Sequence, residues 1–134
     1  MSTAQNLPTE LMLLGWSIVL LLGHMAIQGV TNLRERGIAF NAGPRDDPAP
    51  LGPIAGRAQR TLDNFKETYP VFIALALGLA VTGRGGGIAE TGAWMWFLAR
   101  IVYVPLYLFG IPWLRSACWL VSALGLTLKL VRFL

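Results

Sequence analysis

Arg57, Arg60, Asn64 and Glu67 recur at intervals of three, four and three residues. At about 100° per residue, that spacing confines them to an arc of roughly 80° on one helix face. Arg100, Tyr103 and Tyr107 repeat the three-then-four spacing and form a second polar stripe. Arg115 and Ser116 follow Pro112 at a predicted helix start, adding a cation, a hydroxyl and free backbone donors. Four arginines directed toward one interface suit an anionic ligand. The same residues also suit a buried salt-bridge network that only holds helices together, with Glu67 and Arg100 as candidates to neutralise each other. Spacing alone leaves both open.

Other chemistry finds little support. The one histidine, His24, has no second histidine with which to build a metal site and reads as a helix-packing hydrogen-bonder, so no metal is expected. The one cysteine, Cys118, sits in an apolar run and excludes an intrachain disulfide. There is no G-x-S-x-G elbow and no Walker loop, and Arg84-Gly85-Gly86-Gly87 has no preceding strand, so it reads as a turn.

The elements that position these stripes are transmembrane helices. The 134 residues are 54% hydrophobic and only 13% charged, far from the roughly one quarter charged of soluble domains. The net charge of +4 forms no basic block or basic helix face, which argues against nucleic acid. The pattern predicts an all-α, four-helix transmembrane bundle with spans at about residues 11–30, 57–82, 89–109 and 113–130. Thr9 and Glu10 suit the start of the first helix, as cap and dipole partner. A polar, proline-rich loop with little regular structure is expected at about residues 31–56. Trp94 and Trp96 read as interfacial anchors, and Lys129 and Arg132 as residues at the far interface. Basic residues on the long loop place it in the cytoplasm and both termini on the other side, periplasmic if the membrane is a bacterial inner one. An arginine at mid-span costs a few kcal/mol, so Arg100 must face protein, water or a ligand. Four spans without inverted-repeat halves or broken helices disfavour a transporter.

The stretch Arg57-Ala-Gln-Arg60-Thr-Leu-Asp-Asn64-Phe-Lys-Glu67-Thr-Tyr69-Pro70 resembles the second-helix pattern of the MAPEG family, the membrane-associated proteins of eicosanoid and glutathione metabolism. That pattern is R-x-x-R-x-x-x-N-x-x-E followed closely by an aromatic residue and proline. Ala99-Arg100-Ile-Val-Tyr103-Val-Pro-Leu-Tyr107 and Arg115-Ser116 extend the resemblance through the third and fourth helices. The loop Ala42-Gly-Pro-Arg-Asp-Asp-Pro-Ala-Pro looks like that of bacterial members.

The resemblance implies a homotrimer of four-helix protomers, with glutathione as cosubstrate between neighbouring subunits near the cytoplasmic face. The matching binding positions are Arg57, Arg60, Asn64, Glu67, Arg100, Tyr103, Tyr107 and Ser116, and the catalytic position is Arg115. Arg115 would stabilise the thiolate, because a nearby cation lowers a thiol pKa and raises the nucleophilic fraction near neutral pH. An apolar electrophile would enter from the bilayer through lipid-facing grooves, for thiolate addition or substitution, or for thiol-dependent peroxide reduction. Two departures stand out. Leu62 occupies a place where several glutathione-using members have His or Gln, and the segment from Tyr107 to Arg115 differs in length from the mammalian prostaglandin synthase pattern. The alternative is a noncatalytic trimer, an accessory subunit of a larger membrane complex or a lipid binder, in which the arginine network is structural.

Overall fold

The computed structural model describes residues 7–46 and 50–134 and is all-helical within them. Asp47, Pro48 and Ala49 of the expected polar loop lie outside the described residues. Five helices follow in chain order: α1 (Thr9–Arg36), α2 (Ile38–Ala42), α3 (Pro53–Val81), α4 (Ile88–Leu108) and α5 (Pro112–Phe133). The described residues therefore form four long helices and one short one, where four helices were expected.

The correction concerns the loop. Its first residues continue α1 by another turn and a half, Gly37 interrupts the helix, and the short α2 follows. The Thr31 hydroxyl is satisfied within the helix by donating to the Ile27 carbonyl at 2.7 Å, and α1 runs on through Arg36. The Gly52 amide donates to Glu35 Oε2 at 2.8 Å, which ties the end of α1 to the start of α3. Pro53 at the first position of α3 loses no hydrogen bond, and its fixed φ suits a helix start.

Two helices, Thr9–Arg36 and Pro112–Phe133, are long and apolar enough to cross a membrane. At 1.5 Å per residue they extend about 42 Å and about 33 Å, against about 30 Å of hydrocarbon. Trp16, Val19 and Leu22 of α1 and Leu124 of α5 are exposed, apolar surface that suits lipid or another protein. α3 holds a run of ionisable residues in its first half, and α4 holds Glu90 and Arg100.

α3 sits against α1 on one side and against α4 and α5 on the other. A ladder of aromatic rings fills this junction. Trp96 stacks on Phe72 with ring centres 3.9 Å apart, and Phe65 and Tyr69 continue the column toward the polar half of α3. Trp96 is fully buried, so it is a core residue and not the interfacial anchor its position suggested. The hydroxyls of Tyr69 and Ser17 meet at 2.8 Å, which satisfies both in the apolar junction of α1 and α3.

α4 and α5 make the closest helix pair, because glycines face each other at their crossing. A side chain built at Gly92 would collide with the Gly125 carbonyl oxygen, and one at Gly125 with the Gly92 carbonyl. Small residues permit this backbone approach and the dispersion contacts that follow from it. On the same seam Lys129 bonds Glu10 of α1, and both are essentially inaccessible to solvent. Thr9 is not the expected cap, because Pro8 holds the N-cap position, whereas Glu10 stands in the first turn of α1, as expected of a dipole partner, and also pairs with Lys129. The pair ties the first helix to the last, and Lys129 also lies 4.9 Å from the centre of the Phe72 ring.

Candidate functional site

The polar halves of α3 and α4 and the first turns of α5 enclose a cleft of about 690 Å³. Its α3 wall presents Arg60, Asp63, Asn64 and Glu67. Tyr103 and Tyr107 come from α4, and Arg115, Ser116, Trp119 and Leu120 from α5. Seven of the nine sequence-predicted residues thus meet in one place: Arg60, Asn64, Glu67, Tyr103, Tyr107, Arg115 and Ser116.

Tyr107 is the hub of the cationic side. Its hydroxyl accepts a hydrogen bond from Arg60 Nε at 3.1 Å, and the Arg115 guanidinium carbon lies 4.7 Å from its ring centre. One aromatic side chain therefore holds two cations from different helices. The Arg115 contact uses the negative face of the ring and leaves the guanidinium N–H groups for an anion. Tyr103 packs 5.5 Å from Tyr107, centre to centre. Ser116 Oγ donates to the Pro112 carbonyl at 3.1 Å, so its lone pairs remain available to a donor.

Glu67 is exposed and forms no hydrogen bond or ion pair among the described residues. Its expected partner, Arg100, is fully buried and turned elsewhere. Arg100 Nη1 donates to Asn64 Oδ1 at 2.7 Å, and its guanidinium carbon lies 4.5 Å from the Tyr103 ring centre and 5.4 Å from that of Phe65. The Glu67–Arg100 ion pair is thus replaced by an amide contact and two ring contacts. The aromatic column occupies the space behind α3, and Asn64 lies one turn closer to Arg100. With Asn64 Oδ1 engaged, its NH₂ is the group left to face the cleft. Arg100 therefore supports the wall of the cleft without lining it.

Arg57 also lies off the cleft. Its Nη1 donates to the Leu108 carbonyl at 3.2 Å, at the C-terminal end of α4. Leu62 points into the core, away from the cleft side of α3. His24 donates to the Leu20 carbonyl from Nδ1 at 2.8 Å and packs 4.6 Å from Phe65, in keeping with a packing role. No group of three or more metal-ligating side chains occurs among the described residues.

Three lining residues escaped the sequence reading. Asp63 precedes Asn64 on the same helix and adds a carboxylate to the wall. Trp119 and Leu120 lie three and four residues after Ser116, so helical spacing alone places them on its face. The opposite face of α5 borders a second, apolar groove of about 520 Å³ against α4, lined by Leu98, Val102, Leu114 and Cys118 among others.

The cleft therefore offers two cations, two carboxylates, an amide and hydroxyls on one side and apolar surface on the other. Such a set fits a small ligand that carries both signs of charge. A sequence model described as the MAPEG family matches residues 11–134. No curated protein and no solved structure matches the chain.

Proposed function

The chain belongs to the MAPEG family, and from that premise we propose that the cleft binds glutathione and ionises its thiol beside Arg115. The thiolate then attacks a lipophilic electrophile. The observation that carries this reading is the arrangement of Arg60 and Arg115 on one tyrosine, in a cleft that Glu67 also lines.

Glutathione carries two carboxylates, one ammonium group and two amides. Arg60 supplies a fork for a carboxylate, Glu67 a partner for the ammonium, and Asn64 a donor for an amide carbonyl. Arg115 stands free of any anionic partner among the described residues, so the charge that best satisfies it is the ligand's. A thiol held there loses its proton more readily because the cation stabilises the thiolate.

In a substitution the sulfur forms a bond to the electrophilic carbon as the leaving group departs with its bonding pair, and in an addition the displaced π pair moves onto the acceptor and takes a proton from water. In peroxide reduction the thiolate attacks the O–O bond, and a second glutathione completes the disulfide, yielding alcohol and water. Trp119 and Leu120, the exposed apolar residues of the cleft lining, suit the hydrocarbon part of such a substrate.

The same reading takes the protein as a multi-pass membrane protein with four spans, a cytoplasmic long loop and a homotrimeric assembly. Support comes from the family and from the exposed apolar faces of α1 and α5. Turnover of a panel of lipophilic electrophiles and hydroperoxides by purified protein, dependent on glutathione, tests the proposal. A correctly folded preparation that turns over none of them contradicts it.

A further inference from the structure

Arg57 shares a helix face with Arg60 and Asn64, yet its guanidinium is spent on the backbone. α4 ends in a Schellman motif: the Ile111 amide donates to the Leu106 carbonyl at 2.9 Å, and the Gly110 amide to the Tyr107 carbonyl at 3.0 Å. Gly110 takes φ +72, as that motif requires. The motif leaves the Leu108 carbonyl without a backbone partner, and Arg57 Nη1 fills that place at 3.2 Å. The guanidinium also lies against the open side of Gly110. A Cβ there would sit 3.0 Å from Arg57 Cζ and Nη2.

This turn has one further property. Tyr107 precedes it by one residue from the helix end, and Arg115 follows in the first turn of α5. Whatever fixes the turn fixes the Arg115 guanidinium over the Tyr107 ring. The cation of Arg57 also sits at the negative end of the α4 dipole, which strengthens the clamp.

We propose that Arg57 is a positioning residue that clamps the α4–α5 turn through the Leu108 carbonyl and Gly110, and so holds Arg115 in register with Tyr107. This rests on the glutathione reading of the cleft only for what Arg115 does there. The clamp itself is a property of the free protein.

The test compares full-length wild type, Arg57→Ala, Arg57→Lys and Gly110→Ala in detergent by amide hydrogen exchange, with and without glutathione. In Arg57→Ala, exchange at residues 108–116 rises about tenfold, the size of one hydrogen bond to a charged group, while residues 88–100 stay unchanged. Arg57→Lys falls between, since an ammonium still reaches the carbonyl but cannot lie flat on Gly110. Gly110→Ala strains a φ of +72 as well as displacing the guanidinium, so it sets the exchange of a fully released turn, and Arg57→Lys carries the test if Arg57→Ala fails to fold. In the presence of glutathione, the variants lower the ionised fraction of bound thiol more than they lower affinity. Unchanged exchange at 108–116 overturns the proposal, as does a loss of affinity with the thiolate fraction intact, which would make Arg57 a direct ligand contact. Absence of glutathione binding in wild type would sink the cleft's proposed function instead, and the exchange data would still decide the clamp.

Discussion

The Arg115 guanidinium lies over the face of Tyr107, 4.7 Å from the ring centre. Arg115 opens α5 and Tyr107 closes α4, so this contact bridges the turn and sets where a cation meets the cleft. Because the ring also bonds Arg60 through its hydroxyl, its two functions separate by mutation. Tyr107→Phe keeps the face under Arg115 and removes one hydrogen bond, so glutathione affinity falls about three- to tenfold with thiol ionisation preserved. Tyr107→Leu removes both contacts and lowers the ionised fraction as well. Calorimetry with ultraviolet thiolate absorbance reads both quantities, and equal behaviour of the two variants would exclude a role for the ring face.

Glu67 distinguishes a ligand site from a structural network. It is exposed and has no partner within the described chain, so Glu67→Gln changes folding stability by no more than about 0.5 kcal/mol. Glutathione affinity nevertheless drops about tenfold, through loss of a charge-assisted contact with the ammonium group. A clear fall in the unfolding midpoint with binding intact would favour the noncatalytic account.

The buried pair of Glu10 and Lys129 behaves differently. Removing one partner strands a charge in the core, so Glu10→Leu and Lys129→Met each destabilise the fold by about 3–5 kcal/mol. The double variant, with both charges gone, recovers most of the loss. Denaturant titration in micelles measures the three variants, and additive losses would show that the two residues do not act as a pair.

At the α4–α5 crossing, a methyl group at Gly125 meets the Gly92 carbonyl and the Trp96 backbone nitrogen, neither of which can step aside. Gly125→Ala therefore forces the helices apart and costs about 1–3 kcal/mol. Thermal unfolding with near-ultraviolet circular dichroism of the Trp96 environment follows the change. A stable variant with an unaltered spectrum would contradict the packing described.

The cleft was largely legible because helical spacing is a local rule: Arg60, Asn64 and Glu67 share a face before any tertiary contact forms. The partners of the long side chains were not. Arg57 has the same angular position as the ligand-facing residues, but its reach to the Leu108 carbonyl depends on where α4 ends in space. Arg100 bonds Asn64 instead of Glu67 because the aromatic column fixes the depth of α4 against α3. Glu10 and Lys129 are 119 residues apart, and no spacing rule links the first helix to the last. The extension of α1 and the short α2 were hidden by a polar composition that suits a loop and an exposed helix equally.

The most direct test is a glutathione titration of the detergent-purified protein beside Arg115→Ala, with thiolate absorbance followed in the ultraviolet. The account predicts saturable binding to both, with a thiolate signal near neutral pH in wild type that is lost in the variant. Wild-type protein that binds no glutathione, or a thiolate signal that survives in Arg115→Ala, would contradict it.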